Sequence, residues 1–187
     1  MVKEPPGVPE RGAEDVAARW TEERRRDDRF ALAFAAEADR PALQAILDLH
    51  RRLSAVSPHP EEPHIPLIRL AWWRDTLASL ENEPRPGEPL IEAISAHVPA
   101  AAFPALAALA DAHMDRVEGE GGASVNEAVL AAAGAALGGV APRASGRRLP
   151  AQLRPVAAAL RAETLAHRSP TRRQLAMIGV IWTGRRP

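Results

Sequence analysis

The stretch from Ile65 to Leu80, IPLIRLAWWRDTLASL, most constrains what this chain can fold into. Read as a helix, it places Leu70, Trp73, Leu77 and Leu80 on one face, at spacings of three and four. Ile65, Ile68 and Trp72 form a second apolar row about 100° round the axis. A helix with two apolar rows is expected to be buried over most of its circumference. Its strong polar side is limited to Arg69, Arg74 and Asp75, so the other segments are expected to pack around it. Trp72 and Trp73 are half of the four tryptophans, in a chain with no tyrosine.

At 187 residues the chain fits one domain able to bury roughly 70% of its unfolded surface. It has no cysteine, which excludes disulfides, thiol nucleophiles, zinc knuckles and iron–sulfur ligation. With 24 basic and 24 acidic residues there is no overall field to attract nucleic acid. The first residues, MVKEPPGVPERGAEDV, lack the apolar core of a signal peptide. No segment offers the run of about 18 apolar residues that spans a bilayer. The expected setting is cytoplasmic.

Residues 1–13, rich in Pro, Gly and charge, read as a disordered tail, and 14–187 as a single helical domain. A charged helix is expected over Glu14–Arg26, with Val16 and Trp20 on one side. Asp27 or Asp28 would then cap a second helix in which Phe30 and Phe34 lie one turn apart. Pro41 opens a helix whose apolar face is Leu43, Ile46, Leu47, Leu49 and Leu53. Residues 57–66, with four prolines, should be an irregular connection ahead of the tryptophan helix. Further helices follow over 89–97, from Phe103 to the glycines near 119, from Ser124 (with Glu127 as a capping box), over 149–167, and from Pro170. Phe103, Leu106, Leu109 or Ala110, and His113 face one way on theirs. No period-two strand pattern and no long repeat occurs, so the expected fold is all-α, with about eight helices in a bundle.

Several residues invite a chemical reading. Asp111 and Asp115 lie four apart on one helical face, the spacing by which two carboxylates share a Mg²⁺. The alternative is an exposed acidic face near a helix end. His59, Glu61, Glu62 and His64 collect on a proline-rich loop where metal capture is conceivable. His50 and His113 lack partners at HExxH-type spacing and read as satisfied surface or boundary residues. Arg51-Arg52 and Arg147-Arg148 lack interleaved aromatics and read as solvated faces, not a nucleic-acid surface. Gly134 and Gly138, in a helix of small residues, read as a packing device. There is no phosphate-binding glycine loop and no GxSxG serine.

With the segments laid out, DDRFALAFAAEADRPALQAILDLHRRL followed by IRLAWWRDTL resembles the N-terminal part of the squalene/phytoene synthase family. The matching positions are Asp28-Arg29, Arg40-Pro41-Ala42-Leu43, and Arg69-Leu70-Ala71-Trp72-Trp73-Arg74. Asp111 to Asp115 resembles the paired acids of the family's middle helix, and AAAGAALGG its small-residue helix. Arg148-Leu149-Pro150 and the closing GRRP are similar to its C-terminal region. The likeness covers residues 27–187 and is strongest over 27–80.

The resemblance implies an isoprenoid-synthase-like all-α bundle, here shortened. It also implies condensation of two prenyl diphosphates on Mg²⁺ held by two acidic motifs. The first motif would put its carboxylates at Ser54 and Pro58, neither of which binds Mg²⁺. The second should follow the glycine-rich helix, yet residues 133–150 contain no acid. Asp111 and Asp115 align to a different helix. One branch of the family, related to a mitochondrial complex I assembly factor, also lacks the acids, and this chain looks closest to it. The expectation is a pseudoenzyme without a cofactor, acting as a binding or assembly-type protein. Arg69, Trp72, Trp73 and Arg74 would be its surface for a protein partner or apolar ligand. Nucleic acid is not expected as a partner, while peripheral membrane contact is open. The alternative is a Mg²⁺-dependent prenyl-diphosphate transferase of isoprenoid biosynthesis, with Asp111 and Asp115 as metal ligands.

Overall fold

The computed structural model describes residues 10–56, 61–62, 64–82, 87–119, 124–140 and 148–185, with side chains from residue 21 onward. The chain is all-α. Among the described residues the helices are α1 (Glu10–Leu32), α2 (Arg40–Ser54), α3 (His64–Ser79), α4 (Pro89–His97), α5 (Phe103–Glu118), α6 (Val125–Ala136), α7 (Arg154–Thr164) and α8 (Pro170–Thr183). Single 3-10 turns lead into α2, α5 and α7. The only extended pairing among the described residues is an isolated bridge between Arg148 and Arg185.

The centre of the bundle is α2, not the tryptophan helix. Ala42, Leu43, Ala45, Ile46, Leu47, Leu49, His50 and Leu53 are all buried. Beyond its first turn and Ser54, only a narrow stripe through Gln44, Asp48 and Arg51-Arg52 reaches the surface. α2 packs against α1, α4, α5 and α6. Each Leu or Ile buried this way contributes about 1.5–3 kcal/mol before chain entropy is subtracted. α3 lies to one side and packs mainly on α5. Its row Leu70, Trp73, Leu77 and Leu80 is buried as expected, whereas the row Ile65, Ile68 and Trp72 faces outward. One row meets α5 and the other is exposed, so two-sided apolarity here marks a surface.

The first two expected helices are one. α1 runs without a break through Asp27 and Asp28, and Glu10–Ala13, read as tail, belong to it. Residues 1–9 lie outside the described set. Neither aspartate caps a helix, because both are buried on the face α1 turns to the bundle. The C-terminal carbonyls after α1 are met by Arg40, whose Nε–H and Nη2–H donate to Ala35 O at 3.2 Å and Ala33 O at 3.3 Å. Phe30 and Phe34 do stack edge-to-face, with centroids 5.6 Å apart. At α6 the Ser124 hydroxyl makes no capping hydrogen bond, contrary to the expected capping box. Gly134 is buried in α6, while Gly138 lies beyond its end at φ +78°. The 57–66 connection is shorter than expected, since α3 begins at His64 with Pro66 in its first turn. The expected 149–167 helix narrows to α7 behind a 3-10 turn at Ala151–Leu153.

Among the described residues no single helix is long and apolar enough to cross a membrane. α4 and α5, apolar when taken together, turn through 114° and bury Ile91, Ile94, Leu106 and Leu109 in the core.

The end of α8 is tied to the start of α7. Gly184 adopts φ +66°, its N–H donates to Val180 O at 2.8 Å, and its carbonyl accepts the Leu149 N–H at 2.7 Å. Arg154 lies across this turn, donating to Ile181 O and Leu149 O at 3.3 Å each. A Cβ on residue 184 would meet Arg154 Nε at 2.8 Å. Gly184→Ala is therefore expected to cost about 1–3 kcal/mol, through the positive φ and the displaced guanidinium. Urea denaturation reads this as a lower midpoint at unchanged slope.

Candidate functional site

Two places gather chemistry-bearing residues: a buried polar line through the bundle, and a surface groove where α2 meets α3. The buried line begins at Glu163 on α7. His50 Nε2 lies 3.0 Å from Glu163 Oε2, and His50 Nδ1 lies 3.3 Å from His113 Nε2 on α5. Glu163 accepts the His50 Nε2–H, and a single hydrogen bridges His50 Nδ1 and His113 Nε2. His113 Nδ1 is buried without a hydrogen-bond partner among the described residues.

The hydrogen bond from His50, opposed by burial and helped by Arg24, holds the Glu163 carboxyl down at about 2. Burial, reinforced by His50 and Arg116, holds His113 down at about 3, so it stays neutral. Arg24 Nη2 lies 3.9 Å from Glu163 Oε1.

Beside this line run two ion pairs that both start on α1. Asp28 Oδ1 accepts from Arg51 Nη2 of α2, and Asp28 Oδ2 faces Arg51 Nη1 as an ion pair. Burial nevertheless pushes the Asp28 carboxyl up to about 7, with Arg51 pulling the other way. Asp27 Oδ2 accepts from Arg173 Nε of α8 at 2.8 Å, Glu23 Oε2 from Arg173 Nη2 at 3.0 Å, and Arg168 O from Arg173 Nη1 at 2.8 Å. Arg173 is 2% exposed. The space among Glu23, Arg24, Asp27, Asp28, Arg51, Glu163 and Arg173 is about 10 Å³, room for no more than one water molecule.

The surface groove, about 590 Å³, is lined by Arg52, Ala55, Val56, Ile68, Arg69, Trp72 and Trp73. Trp73 is buried beneath it and Trp72 stands 44% exposed, with the two indoles edge-to-face at 5.1 Å. Of the four expected surface residues, Arg69, Trp72 and Trp73 are brought together there. Arg74 points to the other side of α3, donating from Nε to Asp75 at 2.8 Å and lying 3.8 Å from Asp111 Oδ1. Through Arg52 and Ala55 the groove joins a larger cleft of about 870 Å³ between α1, α2 and the start of α4. Arg24, Arg25, Arg29, Arg51 and Arg52 line that cleft, against Asp48 and Glu88. An apolar trough thus leads into a cationic one.

Asp111 and Asp115 lie on the side of α5 toward Arg74, which sits against Asp111. Among the described residues no three His, Asp or Glu side chains come together as a metal site, so this pair does not assemble the donor set that Mg²⁺ on a diphosphate would need. His59 lies outside the described residues, which leaves the His59–His64 loop without a described cluster.

The residues that sequence reasoning misplaced are the buried ones. His50 and His113, read as surface or boundary groups, are 4% and 0% exposed and touch each other. Arg51, read as part of a solvated face, holds Asp28. Glu163 drew no attention at all. A signal was present, because His50 continues the apolar row Leu43, Ile46, Leu47, and Arg173 shares one with Met177 and Val180. Searches against family models, curated proteins and solved structures find no match to this chain.

Removing one partner of the Asp27–Arg173 pair strands the other charge in the interior. Arg173→Met is expected to cost about 3–5 kcal/mol, while Asp27→Leu with Arg173→Met recovers most of it. A chemical-denaturation double-mutant cycle measures both.

The pH dependence also has a sign. His113 titrates near 3 when folded against an ordinary 6.5, so its contribution to stability is intact above pH 6.5 and is lost as pH falls toward 3. Glu163, at about 2 against 4.5, adds to the loss below pH 4.5. Asp28, at about 7 against 3.8, runs the opposite way, costing stability as pH rises from 3.8 to 7. Between pH 6.5 and 4.5 the slopes of His113 and Asp28 oppose. His113→Gln is therefore expected to shift the net slope there toward stability that falls as pH rises. A slope identical to wild type in a melting series would remove His113 from the account.

Proposed function

We propose that this chain is a catalytically degenerate squalene/phytoene synthase-like protein of the isoprenoid-synthase-like kind, acting as a binding or assembly-type protein. Its working surface is the α2–α3 groove. The observation that carries this reading is the junction of two unlike troughs at Arg52. Trp72, Ile68 and Val56 offer an apolar bed, and the adjoining cleft offers an excess of guanidinium groups. Such a surface fits a ligand or partner segment with an apolar stem and an anionic end.

On the same reading the chain performs no prenyl transfer. Ionising a diphosphate takes carboxylates facing one another across an apolar chamber. Here the interior between α1, α2, α5, α7 and α8 is occupied by His50, His113, Glu163 and two ion pairs. The position of the first acidic motif holds Ser54, at the end of α2.

Purified protein incubated with farnesyl or geranylgeranyl diphosphate and Mg²⁺ is expected to release no diphosphate. Turnover above a no-protein blank would overturn the non-catalytic reading and return Asp111 and Asp115 to consideration. As a probe of the groove, the same prenyl diphosphates should quench tryptophan fluorescence saturably. Trp72→Ala, together with Arg52→Glu, should weaken that binding about tenfold or more. Unchanged affinity would place the binding surface elsewhere.

A further inference from the structure

On the far side of the polar line, α8 presents an apolar face that no described helix covers. Leu175 and Trp182, seven residues apart, lie on one face and are 63% and 78% exposed. Ile178 lies between them and is half-buried. The opposite face holds Arg173, Met177 and Val180, all buried against the bundle. The inward side of α8 is thus already anchored, by Arg173 on Asp27 and Glu23 and by packing on α7. The outward apolar face is a fixed surface and does not depend on how the helix rolls.

The charge around that face has a single sign. Arg168, Arg172 and Arg185 are exposed beside it, and none has an ion-pair partner among the described residues. From residue 164 to residue 187 the chain contains no aspartate or glutamate. A second copy of this chain docking face to face would bring arginine against arginine, which opposes self-association. An anionic surface would be drawn in instead. Leucine, isoleucine and a terminal tryptophan on the same face favour a layered partner, polar outside and apolar beneath, over a nucleic acid that would engage the arginines alone.

We infer that α8 is an interfacial helix that docks this protein on anionic phospholipid bilayers. Leu175, Ile178 and Trp182 enter the headgroup boundary, and Arg168, Arg172 and Arg185 meet lipid phosphates. This contact lies outside the α2–α3 groove.

The full chain is tested by flotation with phosphatidylcholine vesicles, with and without roughly a third phosphatidylglycerol. Expected is binding to the anionic vesicles only, lost when ionic strength rises from about 0.1 M to about 1 M. Leu175→Ser with Trp182→Ser, and separately Arg168→Gln with Arg172→Gln, should each lower the bound fraction about tenfold or more, with unchanged circular dichroism and melting temperature. Trp72→Ala should bind vesicles like wild type, so the groove and the helix fail independently. No wild-type binding, equal binding to neutral vesicles, or full binding by the serine variant overturns the inference. So does a solution dimer that the serine variant dissociates, or retention of RNA without retention of vesicles.

Discussion

The pairing of Arg173 with Asp27 joins the last helix to the first across 146 positions of sequence. A guanidinium with 2% exposure is stable only when every N–H has somewhere to go. Here Asp27, Glu23 and the Arg168 carbonyl each accept one bond, so that all three guanidinium nitrogens are engaged. The desolvation cost of such a group leaves little net gain in stability, but a misplaced α8 would bury a bare charge. The pair therefore acts on position. It sets the rotation of α8, and so decides which residues of that helix face water. The Asp28–Arg51 pair does the same between α1 and α2.

Between those pairs lies an interior that is more polar than the periodicity implies, and a surface that is more apolar. His50, His113 and Glu163 connect α2, α5 and α7 by hydrogen bonds where leucines would have packed. Ile65, Ile68, Trp72, Leu175 and Trp182 are set outward. Single exposed apolar residues are ordinary, but rows on one helix face beside arginines are the usual mark of a contact surface. The proposed activity of the molecule is binding for the same reason. Among the described residues, His50, His113 and Glu163 are engaged with one another inside, while Arg52, Trp72 and Trp182 are exposed.

How much of this was legible depended on whether a feature was local. The all-α fold follows from 3.6-residue apolar spacing, and the helix starts at Pro41, Pro104 and Pro170 follow from a missing N–H that a first turn does not need. Leu70, Trp73 and Leu77 were recognisable as core, and Arg69, Trp72 and Trp73 as neighbours on one element. The breaks were harder. Asp27 and Asp28 carry a strong capping preference, yet α1 passes straight through them, because Arg51 and Arg173 supply partners that no local window contains. The second row of α3 is chemically the same whether it meets a helix or water.

By itself the sequence determined which segments are helical and which face of each could be buried. Those are properties of spacing and composition, carried by a few consecutive turns of chain. Only the tertiary structure decided that α2 lies at the centre, that His50 meets His113 and Glu163, and that Arg74 turns away from the groove its neighbours build. Each of these depends on the distance between groups far apart in sequence. Burial, charge pairing and protonation all vary with that distance, and no local pattern encodes it.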